Sequence, residues 1–129
     1  MDTPPSMPRK IGGMPTAHVH TDAPASDEAR ARFATELSRA IAEVTGKPEK
    51  WVMTIQTAAQ LTTFGGAAGE SCYVRVVSIG GFTSSQAEAL IAQICRLVEA
   101  HLEVPGARTY VELGDAEPHL FGHAGRTFA

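Results

Sequence analysis

Pro15 follows Met14 directly and opens the segment Pro15-Thr16-Ala17-His18-Val19-His20-Thr21. If translation starts at Met14 and that methionine is removed, Pro15 carries a secondary α-amine. Inside a longer chain the same nitrogen is an amide, whose lone pair is delocalised into the carbonyl and is not basic. An α-amine titrates at about 8. An apolar wall or a nearby cation lowers that value and leaves the amine neutral, able to take a proton from carbon. Proline is also common at a strand start simply because it lacks a ladder donor, so the chemistry depends on whether its nitrogen is free. Other candidates are weaker. His18 and His20 share a strand face, but two ligands make no metal site and a polar sheet face is the plainer reading. Cys72 and Cys95 are spaced for neither a disulfide framework nor a metal. Phe64-Gly65-Gly66 is a loop turn, because no helix start with Lys-Ser/Thr follows to make a phosphate cradle.

The elements that would position these groups follow from periodicity. After the first strand, Asp22-Ala23-Pro24-Ala25 breaks the alternation, and Ser26 is a candidate N-cap with Asp27 and Glu28 at the positive helix end. Ala29, Phe33, Leu37, Ala40, Ile41 and Val44 then recur at helical spacing, until Gly46 and Pro48 stop the helix. Trp51 to Thr57 reads as a second strand, with Trp51, Met53 and Ile55 on one face. A loop covers 58–69. The pattern then repeats: a β-branched strand over Ser71 to Ile79, a turn at Gly80-Gly81, and a capping box from Ser85 and Glu88. A second helix follows, carrying Leu90, Ile91, Ile94, Leu97, Val98 and Leu102. Pro105-Gly106 ends it, and Arg108 to Leu113 is the fourth strand. Arg126-Thr127-Phe128-Ala129 is placed as a further edge strand.

Two successive β-α-β halves predict an α+β two-layer sandwich, a four-stranded mixed sheet with both helices on one face. The third strand is apolar on both sides and the chain offers no third helix to cover it, so self-association is the expected remedy. The 129 residues, 43% of them apolar, suit one domain, assigned to 15–129. Residues 1–14 hold prolines and glycines without apolar periodicity and read as a disordered tail or as sequence upstream of the true start. The net charge of −3 and the lack of a dense basic cluster argue against a nucleic-acid partner. No apolar run suits a membrane helix, and no secretory signal opens the chain. A cytoplasmic location is expected, with non-classical release as a variant.

Met14-Pro15 opening a strand, Thr45-Gly46-Lys47-Pro48 closing the first helix, Phe64-Gly65-Gly66, Ser78-Ile79-Gly80 and the terminal Thr127-Phe128-Ala129 together resemble the macrophage migration inhibitory factor family of the tautomerase superfamily. The likeness covers 14–129, with an insertion before or within the first helix. It implies a homotrimer with an active site at each subunit interface, and keto–enol tautomerase activity on α-keto acids such as phenylpyruvate with Pro15 as general base. The resemblance also assigns the substrate-binding groups. Lys47 lowers the Pro15 pKa and pairs with the substrate carboxylate, Ile79 offers its backbone N–H, and Tyr110 supplies a hydroxyl or a wall from the neighbouring subunit. No cofactor or metal is implied. A non-catalytic, cytokine-like signalling or protein-binding trimer is the alternative. Each residue has a duller role: Lys47 as a helix-end cation, Ile79 as core, Tyr110 as a sheet aromatic.

The chain departs from the family in several places. Glu112 stands where the cytokine has a pocket asparagine, which makes the site more acidic. His123 replaces an aromatic near the rim, with Phe121 restoring some apolar wall. The cytokine's Cys-x-x-Cys pair is missing, so thiol-oxidoreductase activity is not expected.

Overall fold

A computed structural model describes residues 15–129; the reading of 1–14 as a tail falls outside them. Strand β1 (Thr16–Thr21) leads to helix α1 (Asp27–Thr45) and strand β2 (Met53–Ala58). A small hairpin, β3 (Thr63–Phe64) and β4 (Ala67–Ala68), precedes strand β5 (Cys72–Ile79). Helix α2 (Ser84–Leu97), running on into one π turn over Val98–Leu102, and strand β6 (Thr109–Ala116) complete the second half. The sheet order is β2-β1-β5-β6. Its two outer pairs are parallel and the central β1–β5 pair antiparallel, the mixed sheet expected from two β-α-β halves.

Alternation divides the sheet into two faces. Ala17 and Val19 of β1 and Cys72, Val74 and Val76 of β5 are buried among Phe33, Leu37, Ala40 and Ile41 of α1 and Leu90, Ile94, Leu97 and Val98 of the second helical segment. The opposite face carries His18, His20, Tyr73, Arg75, Tyr110, Glu112, Met53 and Ile55. It is uncovered in the protomer: Tyr110 is 67% exposed and Met53 58%. On β5 this face carries Tyr73 and Val77 beside Arg75, so the third strand has apolar side chains on both of its faces. No helix among the described residues is long and apolar enough to cross a membrane.

Local signals locate the turns, with corrections. Ser26 caps α1 as expected, its hydroxyl accepting from the Ala29 N–H at 3.1 Å. The α2 capping box is built by Thr83 and Gln86 rather than Ser85 and Glu88. Both pairs fit the Ser/Thr-x-x-Glu/Gln spacing, and the helix starts at the earlier one. Trp51 is not in the second strand. It closes a 3₁₀ turn over Glu49–Trp51, set by Pro48, so only Met53 and Ile55 share the strand face. A matching 3₁₀ turn over Gly106–Arg108 follows Pro105. The chain enters each of these turns from a left-handed residue, Gly46 (φ 72°) after α1 and Glu103 (φ 58°) after the π turn. The C-terminal segment does not extend the sheet. Strands β7 (Gly122–His123) and β8 (Arg126–Thr127) pair with each other in a separate hairpin, held by the Phe128 N–H donating to the Pro118 and Phe121 carbonyls.

Candidate active site

Helix α1 ends in a left-handed cap at Gly46, whose N–H donates to the Ala42 carbonyl at 2.9 Å. The Thr45 hydroxyl bonds back to the Ile41 carbonyl at 2.5 Å and accepts from the Lys47 N–H at 3.3 Å. This turn fixes the Lys47 backbone and sends its side chain into the protein, where the residue is 8% exposed. The ammonium donates to the Ile79 carbonyl at 2.5 Å, at the last residue of β5. Burial lowers the Lys47 pKa from its ordinary 10.5, and the charge of Asp115 partly opposes that fall. An ammonium has three donors; with one on Ile79, the others are available to an anion.

Pro15 is fully buried and accepts at its carbonyl from the Met53 N–H at 3.0 Å. It immediately precedes Thr16, which lies opposite Val77 in β5, two residues before Ile79. Lys47 and Ile79 therefore gather at the end of the sheet where Pro15 enters. Ile79 is itself 5% exposed, and Ser78 beside it is fully buried. The sequence-based reading gave Ile79 an N–H role; the structure shows its carbonyl holding Lys47, a contact between residues 32 apart that no local pattern signals.

Tyr110 is not brought to this end, and Glu112, opposite Arg75, stands two residues from the row of Thr16, Val77 and Gly114. Tyr110 sits in one row with Tyr73 and His20, whereas Thr16 shares its row with Val77 and Gly114. Four residues of strand separate these rows, about 13 Å. The Tyr110 ring packs 5.1 Å from that of Phe64 on the β3–β4 hairpin. Glu112 is not a bare acid. It accepts from the Tyr73 hydroxyl and pairs with Arg75 Nε at 3.4 Å. The same hydrogen bond to Glu112 raises the Tyr73 pKa. His20 stacks on Tyr73, with ring centres 6.1 Å apart. Arg75 and Tyr73 are thus the partners that reading Glu112 by itself misses.

A second cluster was also not evident from spacing. Trp51 meets His123 edge-on at 5.2 Å, and His123 stacks with Phe128 at 6.5 Å. Lys50 lies 5.5 Å over the Trp51 ring, and the buried indole N–H of Trp51 has no hydrogen-bond partner among the described residues. His123 and Phe128 belong to the C-terminal hairpin, so the hairpin builds a ring-lined wall beside the chain that enters β2.

Residues 14–129 match the family model described as macrophage migration inhibitory factor. A homolog of that factor from Trichuris trichiura is 29% identical over 115 residues, 89% of this chain and 100% of the relative. Among solved structures, the homologue from Prochlorococcus marinus superposes with a TM-score of 0.82 at 34% identity, over 88% of this chain and 99% of that one. A fused 4-OT wild-type asymmetric trimer superposes with a TM-score of 0.79 at 26% identity, over 88% of this chain and 95% of that one.

Proposed function

The chain belongs to the macrophage migration inhibitory factor family, and from that premise we propose that it is a keto–enol tautomerase of α-keto acids, with phenylpyruvate as its test substrate and the Pro15 amine as base. The observation that carries the reading is the burial of Pro15 and of a cation, Lys47, at the same end of the sheet. A cation held in a water-poor site binds a carboxylate strongly and disfavours a proton on a neighbouring amine. Lys47 then holds the substrate carboxylate. The neutral secondary amine removes a proton from the carbon next to the carbonyl, and the electron pair of that C–H bond moves to the carbonyl oxygen. The prolinium returns its proton to that oxygen, giving the enol and the free amine.

The row separation supports a homotrimer, since Tyr110, four residues along the sheet from the row of Thr16, is placed to border the Pro15 site of another subunit rather than its own. The fused 4-OT relative is itself a trimer. A second reading, a cytokine-like protein-binding trimer, is favoured by the exposed Leu61 and Leu120, which lie outside the four-stranded sheet whose open face self-association would cover. The discriminating experiment compares the full chain with a form beginning at Pro15. Phenylpyruvate tautomerisation by the short form, and little by a full chain whose mass confirms the tail, supports the enzyme. Equal activity in both shows that Pro15 is not the base, and no activity in either favours the protein-binding reading.

A further inference from the structure

The turn that follows β5 has a charged group on each side. Its first residue, Ile79, binds the Lys47 ammonium through its carbonyl at 2.5 Å. A Cβ on the next residue, Gly80, would lie 3.9 Å from Lys47 Nζ. On the other side, Asp115 of β6 stands opposite Ser78 in the parallel β5–β6 ladder, and a Cβ on Gly81 would meet the Asp115 carboxyl carbon at 3.4 Å. Gly80 (φ 89°) and Gly81 (φ 66°) both adopt left-handed backbone, which lets the turn pass between the two side chains. Lys47 and Asp115 do not form a direct ion pair; the ammonium's hydrogen bond goes to a neutral carbonyl.

We propose that Asp115 is a positioning residue of this site, a counter-charge across the Ile79-Gly80-Gly81 turn that keeps Lys47 an ammonium without occupying it, so that Lys47 stays open to the carboxylate of an α-keto acid. The inference rests on the tautomerase reading for its catalytic consequence, but not for the coupling between the two side chains. A contact ion pair would satisfy the lysine and compete with substrate. A carboxylate one turn away supplies attraction at longer range and leaves the remaining N–H groups free. Burial works against the lysine's charge, and Asp115 is the charged side chain that offsets it. The elements packed around Lys47 also present Pro15 just before β1 and Glu49 and Lys50 in the 3₁₀ turn; Glu49 and Lys50, the charged side chains of these, are exposed.

The test is Asp115→Asn, with Asp115→Glu as the rescue, read in two ways. In the full chain, the Lys47 ammonium is titrated by NMR with ¹⁵N-labelled lysine. Its midpoint should fall by about one pH unit in Asp115→Asn, at the low end for an opposite charge nearby because Asp115 is solvent-exposed, and should recover in Asp115→Glu. In the form with a free Pro15 amine, the basic limb of kcat/KM for phenylpyruvate should move to lower pH by the same amount. At acidic pH, where Lys47 is charged in both proteins, kcat/KM should differ little. An unchanged lysine midpoint overturns the proposal whatever the kinetics show. A shifted midpoint with an unmoved basic limb overturns the role in substrate binding. A shifted midpoint in a protein with no tautomerase activity upholds the coupling and overturns the tautomerase reading instead.

Discussion

Replacing Lys47 by methionine should separate function from stability. The substitution keeps the length and volume of the side chain and removes its charge, together with the 2.5 Å bond to the Ile79 carbonyl. Losing a charge-assisted bond to a substrate carboxylate costs about 2 kcal/mol, which is about 30-fold in KM for a keto acid. For stability two effects oppose. The Ile79 carbonyl loses its donor, a cost of about 1 kcal/mol, at the low end because the Ser78 hydroxyl stands 3.4 Å from the same oxygen. Against this, a buried cation is removed, and the desolvation that lowers the Lys47 pKa from 10.5 disappears. The two oppose, so any destabilisation read from the urea midpoint at neutral pH should be less than the about 1 kcal/mol of the lost bond alone. The pH dependence has a defined sign. Between the folded Lys47 pKa and 10.5 the unfolded chain binds more protons than the folded one, so wild-type stability rises with pH across that window. Any advantage of Lys47→Met is therefore largest at neutral pH and shrinks as pH approaches 10.5. Steady-state kinetics and urea titrations at two pH values read both arms. An unchanged KM, or a loss of several kcal/mol at neutral pH, would refute the reasoning.

Further outcomes follow from other sites. The Asp22 carboxylate accepts from the Thr62 N–H and hydroxyl and from the Ser71 N–H, and the Ser71 bond leads in lowering its pKa from 3.8. Its stabilisation over Asp22→Asn should be full above that value and fade as pH falls through the folded pKa, seen in acid unfolding of both proteins. Burial pushes the Cys72 thiol up to about 12 from 9.0. The wild type should lose stability relative to Cys72→Val as pH rises from 9 towards 12, and Cys72 should resist thiol reagents in the native state where the half-buried Cys95 reacts first. Gly81→Ala places a Cβ against the Asp115 carboxyl at φ 66° and should cost about 1–2 kcal/mol by urea denaturation; a neutral result would show that the turn relaxes freely. In sedimentation equilibrium the protein should be a trimer at micromolar concentration, and a monomer there would remove the interface from the site.

The sequence carried the halves, the caps and the core because these depend on local spacing. Phe33, Leu37 and Ile41 recur on one helix face and are all fully buried. What it did not carry arises where two segments meet. Trp51 alternates with Met53 and Ile55 as a strand residue would, yet Pro48 winds it into a 3₁₀ turn and the C-terminal hairpin covers its ring. Glu112 reads as an added negative charge until Arg75 and the Tyr73 hydroxyl appear across the ladder. Lys47 could be assigned as a helix-end cation or a site residue from its position alone. The choice needs its distance to Ile79, which only the folded register of β5 supplies.

The two halves of the chain also repeat each other beyond their strands and helices. Gly46 and Glu103 are both left-handed residues, each followed two positions later by Pro48 or Pro105 and then by a 3₁₀ turn. By this correspondence Val104, fully buried, is the twin of Lys47, and Ser71, just before β5, is the twin of Pro15. The domain is therefore a near-symmetric object with two equivalent ends, one holding a cation and the other a valine. Under the proposed function, with Pro15 as the chain's first residue, the asymmetry has a chemical origin. At the Ser71 end the polypeptide passes straight through, and its amide N–H is already committed to Asp22. An α-amine exists only at a chain's beginning, so a duplicated fold that works with such a group can equip one of its two ends and no more. The other is left free to diverge into plain core.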